Sequence, residues 1–238
     1  GKMIVLGAFL SAIAIGMRSQ AAWLTLPLLA LVLVQRAGRG AAGALLGSAM
    51  TFAIGVLVWA VPLVIASGGP MAYRAAVAAQ GSEDFAGVDM LYRNPSARRL
   101  AFGLLQTFID PWASPALGWT IVAFALMGSL ALLRRAPRVV LLLGVLAAPY
   151  LFVHLLVQET ATTRYALPLV PVMAYLALKG ISKVALAFSQ AKAGLKPGAA
   201  MSAAVIILVV WSLVVTLPAV RVYARDGSPA FAALRELH

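Results

Sequence analysis

The chain has 238 residues, of which 63 % are hydrophobic and only 11 % charged, and its mean hydropathy is +0.96. Ordinary soluble domains carry roughly 25 % charged residues, so a water-soluble core is excluded and most of this surface must face lipid. The absence of cysteine excludes disulfides, thiolate metal sites and a cysteine nucleophile. The net charge of +12 fits a cytoplasmic lysine and arginine bias with anionic headgroups. No aromatic-basic module points to nucleic acid.

In chain order, the first apolar run covers Met3 to Val34 and is interrupted by Arg18, Ser19 and Gln20. Each half has about 14 residues and would rise about 21 Å. That predicts a broken or re-entrant helix pair, buried in protein or lining a wet cavity, since hydrocarbon cannot solvate a free charge. Uncharged runs long enough to cross about 30 Å of hydrocarbon follow at Ala41 to Ala66, Pro111 to Leu133, Val139 to Gln158 and Pro197 to Val220. A further span is predicted from Tyr165 to about Phe188, with Lys179 and Lys183 toward its far end, where they can snorkel to the interface. Gly68-Gly69-Pro70 predicts a break, then a short interfacial helix over Met71 to Gln80. Leu100 to Ile109 predicts a second interfacial segment, ended by Asp110-Pro111-Trp112. In the tail, Ser228 and Pro229 predict a helix cap and first turn, with Phe231, Leu234 and Leu237 on one face. The predicted fold is all-α: a single polytopic transmembrane helix bundle over 1–238, with short interfacial helices on the extracytoplasmic face.

Charge orients these spans. Arg36, Arg39, Arg134, Arg135, Arg138, Lys179, Lys183, Lys192 and Lys196 lie in or beside one set of loops. All seven acids, Glu83, Asp84, Asp89, Asp110, Glu159, Asp226 and Glu236, fall in the opposite set. The positive-inside rule places the first set in the cytoplasm. The long loop Ser67 to Arg99, the segment Glu159 to Arg164 and the C-terminus are then extracytoplasmic, in a multi-pass membrane protein.

The chemistry-bearing stretch is His154 to Tyr175, HLLVQETATTRYALPLVPVMAY. Two apolar runs meet there at a polar mouth holding Glu159, Thr160, Thr162, Thr163 and Arg164. Arg164 at the head of a helix could grip a phosphate with its planar fork; it could equally form a surface ion pair with Glu159. Tyr165 could add a hydroxyl donor or anchor the span. Arg18, with Gln20 beside it, could hold the phosphate of a lipid carrier or cap a helix end. Glu159, Asp110 and His154 are weak candidates for a catalytic base. Against that stand an ion pair for Glu159, the ending of a segment or a pairing with a nearby arginine for Asp110, and a hydrogen-bonded core position for His154. Glu83, Asp84 and Asp89 match no metal-site spacing and read as a solvated loop. No cofactor motif is present, and a divalent metal is left open.

The segments LSAIAIGMRSQAAWLTLPLL, VWAVPLVIASGGPMAYRAAVAAQ and VHLLVQETATTRYALPLVPVMAYLA, in that order, resemble the later transmembrane half of bacterial GT-C glycosyltransferases. These are the polyprenyl-phosphate-sugar enzymes of the protein O-mannosyltransferase and aminoarabinose-transferase branches. The resemblance implies sugar transfer from a polyprenyl-phosphate donor to an acceptor at the extracytoplasmic face. It also implies catalytic carboxylates in a loop after the first span. Here the first acid is Glu83, behind the broken helix pair and another span. The chain is therefore expected to be the C-terminal part of a longer enzyme whose acidic loop lies upstream, in keeping with its start at Gly1-Lys2-Met3. A transporter or flippase for an anionic or lipid-linked substrate is the alternative, since broken helices and arginines in membrane spans suit that class too. A structural membrane subunit is a third reading.

Overall fold

A computed structural model describes residues 1–85, 90–112, 114–191 and 197–226. The fold is all-α and polytopic, as the composition predicts. Its helices are α1 (Lys2–Met17), α2 (Ala22–Ala37), α3 (Ala42–Ala66), α4 (Pro70–Phe85), α5 (Ala97–Phe108), α6 (Pro115–Arg135), α7 (Pro137–Val157), α8 (Val170–Ala191) and α9 (Pro197–Asp226). Six candidate spans are long and apolar enough to cross a membrane, and α1 is a shorter apolar helix. The chain is a multi-pass membrane protein. The tail motif at Ser228 and Pro229, the side chains of Glu83, Asp84 and Asp226, and Asp89, Lys192, Lys196 and Glu236 lie outside the described residues.

The helices pack into two compact units. The first comprises 1–96 and 141–159; the second comprises 97–140 and 160–238. In the first unit, α1 lies against α3. Small residues every fourth position let the backbones approach: Ala8, Ala12 and Gly16 on α1, with Gly47, Thr51 and Gly55 on α3. A Cβ on Gly55 would sit 2.7 Å from the Ala12 Cβ, and one on Gly16 would strike the Trp59 ring. Two side-chain bonds cross the seam. Thr51 Oγ1 donates to the Val5 carbonyl at 3.0 Å, and Trp59 Nε1 donates to the Ala12 carbonyl at 3.0 Å. Both partners climb together in number, so α1 and α3 run parallel and α2 returns antiparallel. Lys2, Arg36 and Arg39 therefore share one end of this three-helix group, and Arg18 the other.

Gly68 and Gly69 adopt φ of 88° and 106° to end α3, and Pro70 starts α4. That helix runs to Phe85, past the expected Gln80. In the second unit, α6 packs on α8 around Leu117, Ile121, Ala125 and Ala177, with Trp211 of α9 against them. Helix α6 starts at Pro115 rather than Pro111. Asp110–Trp112 form a separate 3-10 turn, and Ser114 caps the helix by accepting the Leu117 N–H at 3.2 Å. The regular helix α8 begins at Val170 within a candidate span over Thr163–Ala187, in whose second half Lys179 and Lys183 lie as the sequence predicts. The Lys179 ammonium lies 5.1 Å from the centroid of the Tyr175 ring, which offers it a cation–π partner at that depth.

Candidate functional site

The break at Arg18 is a tight hairpin end. Arg18 is extended at φ −152°, its N–H closes α1 on Ala14 at 3.0 Å, and its carbonyl accepts Ala21 N–H at 2.8 Å. Ser19–Ala21 make one 3-10 turn, and α2 follows. The Arg18 Nε donates to Gln20 Oε1, so the two predicted neighbours do meet. Of the two settings the sequence allows, burial in protein or the lining of a wet cavity, burial is not seen: Arg18 and Ser19 are exposed and Gln20 is half-buried. The parallel register of α1 on α3 explains how a charge is tolerated here. Continued at the same stagger, Arg18 falls level with the last two turns of α3, near the end of a membrane-length helix rather than at its midpoint.

The mouth after α7 is built by successive 3-10 turns, at Thr163–Tyr165 and Leu167–Leu169. Their bonds run from Tyr165 N to Thr162 O at 3.0 Å, Ala166 N to Thr163 O at 2.9 Å and Leu169 N to Ala166 O at 2.9 Å. Ala166 and Leu169 are buried and anchor the turns. Arg164 is on the opposite side and exposed. Its Nη2 donates to the Tyr165 hydroxyl at 3.1 Å, and its guanidinium carbon lies 5.0 Å from the centroid of that ring. Tyr165 thus holds the arginine from one side. Arg164 lies in the 3-10 turn that opens the candidate span Thr163–Ala187, six residues ahead of the regular helix α8. The amide groups of the first α8 turn do not lie beside it in sequence.

Thr160 Oγ1 donates to Gln106 Oε1 of α5 at 2.6 Å, tying the entrance of the mouth to that helix within the second unit. Asp110 is exposed at the head of the 3-10 turn that follows α5. Glu159 is exposed and has an interaction partner. His154 is fully buried on α7, stacked on Tyr150 with ring centroids 6.2 Å apart. Its Nδ1 faces Gln158 Oε1 at 2.9 Å. An amide oxygen only accepts, so Nδ1 carries the proton in this arrangement. Tyr150 and His154 of α7 and Gln158 just past its end recur every fourth residue, a polar stripe visible in the sequence as spacing but not singled out by it. Arg18, Gln20, His154 and Glu159 belong to the first unit, and Asp110, Arg164 and Tyr165 to the second.

No three His, Asp or Glu side chains among the described residues gather as a metal-ion set would require. What the two arginine sites share chemically is a guanidinium held by a neighbouring polar side chain at the end of apolar helices. That arrangement suits an anionic headgroup. No protein-family model, curated protein or solved structure matches the chain.

Proposed function

We propose that the chain is the lipid-phosphate-holding membrane part of a glycosyltransferase that uses a polyprenyl-phosphate sugar at the extracytoplasmic face of a bacterial inner membrane. The observation that carries this reading is Arg164. Among the described residues, the hydrogen bond from its Nη2 to the Tyr165 hydroxyl uses one of its five N–H donors. The rest of the fork is available to a phosphate at the end of membrane-length helices. The ordered resemblance of three segments to GT-C enzymes supplies the sugar and the carrier. Arg18, braced by Gln20, is a second guanidinium of the same kind.

In the proposed transfer, an acceptor oxygen attacks the sugar's anomeric carbon and the bond from that carbon to the phosphate oxygen breaks. The carrier phosphate takes the electron pair. The acceptor proton passes to a base, for which Glu159, Asp110 and His154 are the weak candidates in this chain. Arg164 would stabilise the charge that develops on the leaving phosphate. Because no acid precedes Glu83, the reading is tested by donor binding. The purified chain in lipid nanodiscs is titrated with a polyprenyl phosphate and with the neutral polyprenol of equal length. Phosphate-dependent binding that weakens about 10- to 100-fold in Arg164→Ala is expected, as loss of a charged hydrogen bond worth about 1.5–3 kcal/mol requires. Equal affinity for both lipids, or an unchanged affinity in Arg164→Ala, would overturn it.

A further inference from the structure

Helix α5 is folded with its polarity reversed relative to water. It has 12 residues and rises about 18 Å, too short for about 30 Å of hydrocarbon. Leu100, Phe102, Leu104 and Leu105 are exposed at 41 %, 51 %, 38 % and 37 %. Gly103 and Thr107 are buried, and Arg99 and Gln106 are half-buried. At 100° per residue these form two opposite faces. The apolar one is exposed, and the polar one is buried or half-buried. Its polar groups are satisfied. Thr107 Oγ1 donates to the Gly103 carbonyl at 2.6 Å, Gln106 accepts from Thr160, and Arg99 has a partner.

A helix at a water boundary would place those faces the other way round. We infer that α5 lies in the headgroup–acyl boundary of the bilayer, its Leu100–Leu105 face turned into lipid and its Arg99–Gln106–Thr107 face turned into the protein. Two further features select lipid as the occupant of that face. First, α5 is followed by the 3-10 turn Asp110–Trp112 and then by the membrane-length α6, so it precedes the start of a candidate span. Trp112 fixes the joint, its Nε1 donating to the Phe108 carbonyl at 3.0 Å and its side chain packing on the α6–α8 core. Second, Arg98 is the exposed charge of the outward side. Its guanidinium carbon sits 5.6 Å from the centroid of the Phe102 ring, as a residue reaching from an apolar face to lipid phosphates would. This inference does not depend on the donor site.

Single cysteines can be read directly in this cysteine-free chain. Nitroxides are placed at Arg98→Cys, Ala101→Cys, Leu105→Cys, Gln106→Cys and Thr163→Cys in the full chain. The chain is reconstituted in phosphatidylglycerol–phosphatidylcholine vesicles. Collision with oxygen, which favours lipid, is compared with collision with a neutral nickel chelate, which favours water. The expected oxygen-to-nickel ratio is highest at 101 and 105, lower at 98 and lowest at 163. Position 106 is expected to be shielded from both. Nickel collision at 101 and 105 as frequent as at the exposed Thr163 would place that face in water and overturn the inference. Shielding of 101 and 105 from both reagents would place it against protein, a second copy included, and would also overturn it.

Discussion

Gly128 of α6 and Gly180 of α8 stand backbone to backbone. A Cβ on Gly128 would fall on the Leu176 carbonyl oxygen, and one on Gly180 would fall on the Phe124 carbonyl oxygen. Neither obstacle is a flexible side chain, so neither can swing aside. Buried Ala125 and Ala177 sit three residues before these glycines, making the same small-residue step on both helices. In lipid, where apolar surface gains little by leaving the solvent, such close approach is a main source of helix association.

Gly128→Ala and Gly180→Ala should each force the helices apart. Overpacking typically costs about 1–3 kcal/mol, and a clash with backbone belongs at the upper end. Gly144, with nothing within 4 Å of its added Cβ, is the control. Melting in detergent should fall for the two interface variants and stay level or rise for Gly144→Ala, since alanine is the better helix former. Equal melting in all three would mean that α6 and α8 are not held at this distance.

The α1–α3 seam separates hydrogen bonding from packing. Trp59→Phe keeps a ring against Gly16 but loses the bond to Ala12, and interhelical bonds in membranes average about 0.6 kcal/mol. Trp59→Ala also loses the ring, for which about 3–5 kcal/mol is typical. The expected order of stability is wild type, Trp59→Phe close behind, then Trp59→Ala far below. A Trp59→Phe loss as large as that of Trp59→Ala would show that the Nε1 bond dominates.

Ser48, in the same seam, is 1 % exposed, and its Oγ has no hydrogen-bond partner among the described residues. An unsatisfied buried hydroxyl carries its desolvation penalty without return, about 1–3 kcal/mol. Ser48→Ala should therefore be neutral or stabilising by about 1 kcal/mol in the same melt. A clear loss of stability would mean that the hydroxyl is bonded after all.

Much of this architecture is legible as a string. Uncharged runs locate the long spans, and Arg18-Ser19-Gln20 locates the hairpin end, because charge and length are properties of the chain alone. Boundaries are less so. Ser114 moves the start of α6 to Pro115, since a cap outranks the preceding Asp110-Pro111. The depth of Arg18 is set by the register of α1 on α3, which no local pattern encodes. The pairing of Gly128 with Gly180 is likewise invisible, although both small-residue steps can be read. At the mouth, the Arg164–Tyr165 adjacency is in the sequence, but the 3-10 turns that separate Arg164 from α8 are not.

The segregation of charges in the sequence predicts which ends of the spans face the cytoplasm. Arg36 closes α2, and Arg134 and Arg135 close α6, so their α-carbonyl ends carry cations as well as the membrane bias. Cysteines at Thr163 and Glu159 should react with an impermeant maleimide in intact cells. A cysteine at Arg135 should react only after permeabilisation. The reverse pattern would invert the topology and move the mouth to the cytoplasm.

The last prediction separates the two services that Tyr165 can give Arg164. Its hydroxyl accepts the Nη2 proton at 3.1 Å, and its ring faces the guanidinium at 5.0 Å. Tyr165→Phe removes the first and keeps the second. A neutral hydrogen bond contributes about 0.5–1.5 kcal/mol, and an exposed cation–π contact about 0.5–1 kcal/mol. If Tyr165 acts by positioning the fork, Tyr165→Phe should weaken polyprenyl-phosphate binding about 2- to 10-fold, while Tyr165→Ala, which loses both, should weaken it further. The double variant Arg164→Ala/Tyr165→Ala should then bind no worse than Arg164→Ala alone, because a positioning residue has nothing left to position. Additive losses would instead give Tyr165 its own contact with the donor. Melting should change little in Tyr165→Phe, since the anchoring of this turn comes from buried Ala166 and Leu169. A binding loss that tracks a melting loss would mark the tyrosine as part of the turn's support and remove it from the site.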